Sequence, residues 1–145
     1  MKKILLLQIF TLLSIISYAQ STERSKDNTT FKGYLYNQKY NVYIQMNFYQ
    51  NNVTVPFQEI YGDLPGYFGD KQDGRKWLFT NATIKNSKTA EIQIINDYGS
   101  EDLTASLTQV NDSIFRLKQL KGSNMKIARN KKWVKIPNEL DFIRK

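Results

Sequence analysis

The chain has no cysteine and no histidine among its 145 residues, and only three prolines. Without imidazole and thiol there is no Ser-His-Asp or Cys-His nucleophile system, no usual zinc ligand set and no imidazole proton shuttle near neutral pH. Without cysteine there is also no disulfide framework, so stability must come from a packed core and a complete backbone hydrogen-bond ladder. Long apolar runs are scarce too. The one present, residues 4–16, is shorter than the roughly 20 residues a membrane-spanning helix needs. No strand, glycine loop and helix follow one another, which excludes the usual phosphate-cradling loops.

The apolar run is preceded by Met1-Lys2-Lys3 and followed by Ser17-Tyr18-Ala19. A basic start, a short apolar stretch and small residues before Gln20 have the form of a secretory signal peptide. The expected organisation is a signal peptide over 1–19, a polar flexible leader over 20–30 and one β-domain over 31–145. No cysteine is available for a lipid anchor, so the reading is export to the periplasm or beyond. The formal net charge is +8. From Arg116 onward ten basic side chains face only Glu139 and Asp141, a polarity that suits an anionic surface or partner.

Residues 75–129 read as short strands, 77–84, 90–96, 103–110, 114–120 and 125–129, separated by breakers such as Asn86-Ser87, Asp97-Tyr98-Gly99-Ser100 and Asn111-Asp112. That spacing is a β-meander. Upstream, residues 31–36 form a first strand. Residues 40–50 alternate cleanly, with Val42, Ile44, Met46 and Phe48 opposing Tyr43, Gln45, Asn47 and Tyr49. Asn51-Asn52 is expected to turn this strand into residues 53–61 as its partner, with Pro56 marking an edge, bulge or break. Leu78, Ala82 and Ile84 are expected to share the core face, opposite Trp77 and Phe79. Residues 62–74 hold four of the seven glycines and read as a long loop suited to ligand contact. The tail, 138–145, is expected to dock as one turn over an open end. The fold class is therefore all-β: an antiparallel meander of about eight or nine strands, closed as an up-and-down barrel of lipocalin or avidin type rather than split into a sandwich.

Two acidic groups stand out, Asp70 with Asp73 and Asp97 with Glu101-Asp102. Neither meets a calcium-loop pattern, and neighbouring strand residues diverge to opposite faces, so both read as turn chemistry. No metal or cofactor is implied. The aromatics are the stronger signal. Tyrosine crowds the first half of the β-domain, and tyrosine gives rigid contact area with a hydroxyl at its tip. The candidate binding residues are Tyr34, Tyr36, Tyr43, Tyr49, Tyr61, Tyr67 and Phe68, joined by Lys131, Lys132 and Trp133 of the basic segment. Such basic and aromatic interleaving also suits single-stranded nucleic acid, but export argues against that partner.

The order Phe31-Lys32-Gly33-Tyr34-Leu35, Val42-Tyr43-Ile44-Gln45-Met46, 77–84 and 90–94 resembles small exported bacterial β-meander proteins of unassigned activity. Glu59-Ile60-Tyr61-Gly62 stands where those proteins carry a Gly-x-Tyr-Tyr-Tyr segment. The resemblance implies a fold and a compartment. The functional expectation is an exported, non-enzymatic domain recognising a protein, as an inhibitor or immunity protein does, or a cell-envelope glycan. The alternatives are a barrel carrying a small apolar ligand, and a carboxylate-based hydrolase.

Overall fold

Along the strand Val42–Asn47, Val42, Ile44 and Met46 are fully buried while Tyr43 and Gln45 lie outward and half-exposed. A strand of that period buries one face only, so its neighbours must supply the rest of an enclosed interior. The computed structural model describes residues 29–145. The expectations for 1–19 and for most of 20–30 lie outside the described residues.

Twelve strands form: β1 (Lys32–Asn37), β2 (Val42–Asn47), β3 (Val53–Thr54), β4 (Asp63–Leu64), β5 (Gly66–Asp70), β6 (Lys76–Ile84), β7 (Thr89–Asn96), β8 (Asp102–Gln109), β9 (Ile114–Gly122), β10 (Lys126–Arg129), β11 (Lys132–Lys135) and β12 (Glu139–Arg144). Eight of them close an antiparallel barrel in the order β1-β12-β9-β8-β7-β6-β5-β2. Each barrel strand pairs with the next one along the chain, and β12 returns to β1. This is the expected up-and-down meander, and closure leaves the barrel no unpaired edge.

Ile44, Met46, Phe48, Ile92, Ile94, Leu107 and Leu117 belong to one buried cluster that fills the bore. Rings reach across it: Phe31 stacks on Phe48 at 5.7 Å, and Phe68 meets Phe142 edge-on at 6.3 Å. Full burial of each such side chain contributes about 1.5–3 kcal/mol, so the phenylalanines are the largest single contributors. Glu91, Gln93, Thr104, Ser106, Arg116 and Lys118 lie between these inward positions. The barrel is thus apolar inside and polar outside, the opposite of a membrane-spanning barrel.

Four expectations are corrected. The partner of β2 is β5, while β3 pairs only with β4. Pro56 lacks a donor and Phe57 takes φ 65°, so no ladder continues past Thr54. Residues 62–74 are therefore not one long loop: β5 lies inside them and is buried along its length. Its glycines serve close packing, because a Cβ at Gly66 would overlap the β2 backbone and one at Gly69 would overlap the Tyr43 ring. On β6 an extra residue, Thr80, shifts the register between Phe79 and Asn81. The bulge exchanges the faces, so Trp77 and Phe79 point into the bore and Leu78 points out. Finally, the tail is the closing strand β12, with Leu140 and Phe142 inward and Leu117 and Phe115 opposite them. Strands on both sides order a segment too short to fold as a helix alone.

Candidate functional site

One end of the barrel is plugged simply, by Phe31 and Phe48. The other is covered by the β10–β11 hairpin. Its two-residue turn, Asn130 and Lys131, has φ of 51° and 64°, the paired left-handed geometry that matches strand twist in tight hairpins. Met125, Ile127 and Ile136 sink into the barrel core. Polar ties fix the rest. Arg129 grips Asp70 through both guanidinium nitrogens, at 2.6 and 3.0 Å, and donates to Tyr40 O at 2.6 Å. Lys126 pairs with Glu101 at 3.0 Å, and the Trp77 indole donates to Lys126 O at 3.0 Å.

Between this hairpin, the 70–76 turn and the 96–101 turn lies a cavity of about 240 Å³. Phe68, Trp77 and Ile127 line it, and Tyr98 and Trp133 stand at its mouth. Arg75 lies 4.7 Å from the centre of the Trp133 ring. Both turns are held rigid locally: Asp70 and Asp73 accept from Gln72 N and Arg75 N, and Asn96 accepts from Ser100 N and Glu101 N. The two acidic groups noted in the sequence thus meet at one cavity. Asp70 is held by Arg129, Glu101 by Lys126, and Asp97 accepts the Lys76 N–H at 3.2 Å. Asp102 points elsewhere and is exposed. No cluster of three metal-ligating side chains forms among the described residues.

The segment between β2 and β5 folds back along the outside of the barrel. Val55 seals against Tyr67 and Leu78 in a small second core. Its tip, a 3₁₀ turn over Glu59–Tyr61, reaches the cavity's rim, where the Tyr61 hydroxyl donates to Asp97 O at 3.2 Å. Phe57 is 89% exposed, Ile60 91%, Tyr98 77% and Trp133 60%.

No protein-family model, curated protein or solved structure matches this chain. What the site does must be argued from its own geometry.

The sequence-derived candidates divide into three places. Tyr61, Lys131, Lys132 and Trp133 are at the hairpin-capped rim. Tyr34, Tyr43 and Tyr67 form a separate cluster on the outer wall, where Tyr43 stacks on Tyr34 at 5.3 Å and meets Tyr67 edge-on at 5.8 Å. Burial, then the neighbouring Tyr67, pushes the Tyr43 phenol up to about 12. The Lys71 ammonium sits 4.9 Å from the Tyr43 ring centre, and hydrogen bonding to Tyr34 chiefly raises its pKa. Tyr36 lies beside this cluster with its hydroxyl on Asn41. The remaining two are structural: Phe68 faces the bore and floors the cavity, while Tyr49 packs on the core at the far end and accepts the Phe31 N–H. Tyr67 is covered by the folded-back segment, which removes it as a surface contact. Phe57, Ile60, Arg75 and Tyr98 were not among the candidates. For Tyr98 a signal existed, since an aromatic inside an Asp-x-Gly-Ser turn has no strand face on which to bury.

Proposed function

We propose that this is an exported, non-catalytic binding domain that captures a partner protein at its hairpin-capped rim. One observation carries the reading: Tyr98 and Trp133 are exposed at the cavity mouth, and exposed Tyr61 reaches the same rim through Asp97, on a segment that also exposes Phe57 and Ile60. Clustered exposed apolar surface around a recess is characteristic of interaction sites, and Trp, Tyr and Arg dominate binding hot spots. A packed bore supports surface recognition over carriage of an apolar ligand. The cavity's carboxylates, already engaged by Arg129, Lys126 and the Lys76 backbone, support recognition over hydrolysis. A second reading, an envelope glycan, is favoured by the cavity itself, where Trp133 offers a stacking face beside Asp73, Asn96 and Ser100.

A benzophenone amino acid placed at Phe57, Tyr98 or Trp133 in the producing cell tests this. Irradiation should join each variant to the same protein, while the probe at Gln93 on the β7 wall should not. Equal crosslinking from the wall would remove the reading, and capture of saccharide alone would replace it with the glycan reading.

A further inference from the structure

We propose that β11 takes up an extended acidic peptide segment as a third strand of the β10–β11 hairpin; this rests on the partner-binding reading and specifies the kind of segment bound. Ile136 donates its N–H to Met125 O at 3.0 Å, and the register sets Val134 opposite Ile127 and Lys132 opposite Arg129. By the alternation of an antiparallel ladder, the N–H and C=O of Trp133 and Lys135 point away from β10. The two strands differ in what lies beyond them. On β10 the outward carbonyls are occupied, Lys126 O by the Trp77 indole at 3.0 Å and Ala128 O by the Arg129 guanidinium at 2.8 Å. On β11 the second edge pairs with no strand among the described residues, and all four residues are exposed.

An open edge of this kind is a template for main-chain recognition, with the alternate side chains setting specificity. Lysine is a common guard on such edges, and here it also selects. Lys131, Lys132 and Lys135 make no ion pair among the described residues, whereas Arg116, Lys118, Lys126 and Arg129 are all paired. The unpaired lysines repel a second copy of the same edge and favour a strand bearing carboxylates. Trp133 stands between them with its ring exposed, a surface for an apolar side chain at an alternate position. Pro137 ends the ladder two residues on, so the added strand matches the four residues of β11.

The test uses ¹⁵N-labelled protein and a blocked hexapeptide alternating Glu and Val, added to millimolar concentration. The Trp133 and Lys135 amide signals should shift, and their hydrogen exchange should slow by roughly tenfold. A peptide N-methylated at alternate residues should do neither, and one with Lys in place of Glu should fail as well. Lys135→Pro removes an outward donor that β10 does not use, and should abolish binding with the hairpin intact; Lys135→Glu is the second variant, in case proline disturbs the fold. Absence of shifts at these two amides overturns the proposal, as does binding indifferent to N-methylation. Shifts that depend on protein concentration without peptide mean that a second copy occupies the edge, and equal binding of dextran sulfate means a plain anion surface; either overturns it. Rim crosslinks that persist in Lys135→Pro leave the partner-binding reading standing without this edge. Their absence from the wild-type background removes that reading whatever the peptide does.

Discussion

On the wall formed by β1, β2 and β5, Tyr34, Tyr43 and Tyr67 use their faces on one another and on Lys71. Among the described residues, Tyr61, Tyr98 and Trp133 at the capped rim, and Phe57 on the segment that carries Tyr61, make no ring–ring contact, and of these four only Trp133 has a cation over it. The two groups are equally aromatic and differ in what they leave unspent. Wall rings contribute to folding through stacking worth about 0.5–1.5 kcal/mol per pair beyond burial. Rim rings contribute little, and Phe57 adds a cost, since a bulky residue at φ 65° carries about 1–2 kcal/mol of backbone strain. A strained, exposed phenylalanine is explained by something outside the fold, and an internally satisfied tyrosine is not. That contrast supports placing the proposed binding surface at the rim, away from the wall to which tyrosine frequency pointed.

The largest effect is expected where the rim is bolted to the barrel. Arg129→Ala would leave the Asp70 carboxylate, 4% exposed, without its cation, and loss of one partner of a buried pair costs about 3–5 kcal/mol. Urea unfolding should read that loss, and a change below about 1 kcal/mol would mean that the hairpin is held chiefly by Met125, Ile127 and Ile136. Tyr67→Ala comes next, at about 3 kcal/mol, because it opens the seal with Val55 and Leu78 as well as the edge contact with Tyr43. If it leaves the thermal midpoint unchanged while weakening partner capture, wall and rim must exchange roles. Rim substitutions should move stability far less. Ile60→Ser, Tyr98→Ser and Trp133→Ala should each stay within about 0.5 kcal/mol while reducing partner capture. Phe57→Gly should raise stability by up to about 1 kcal/mol by relieving the positive φ, and still lose capture.

The barrel was legible because its code is local. Period-two alternation over 40–50 and 90–117, with turns at even spacing, states which face is inside before any partner is known. Three features were not local. The glycines of 66–70 look like loop residues until the Gln45–Met46 backbone and the Tyr43 ring are placed against them. The bulge at Thr80 reverses a face without changing any residue type. The 139–144 segment becomes a strand only because β1 and β9 stand on either side of it. The rim was partly legible, since Lys131, Lys132, Trp133 and Tyr61 were candidates. Tyr98 and Asp70 came from turns read for their geometry alone, and only barrel closure brings those turns to one mouth.

The smallest expected effect is also the sharpest probe of the wall. In the unfolded chain the Tyr43 phenol has the ordinary value of 10.0, and in the folded barrel burial and Tyr67 push it up to about 12. The folded state therefore binds this proton more tightly than the unfolded state does. The stability that follows is complete below pH 10 and disappears as pH rises through 12, so folding should weaken across that window and not below it. In a tyrosinate absorbance titration, Tyr43 should ionise in a separate late step near 12. Tyr43→Phe should delete the late step, and Tyr67→Ala should move it downward by admitting water to the ring. If Tyr43 instead ionised at its ordinary value of 10.0, the wall would be as wet as the rim. The exposed aromatics around the cavity would then lose their distinction as the surface left for a partner.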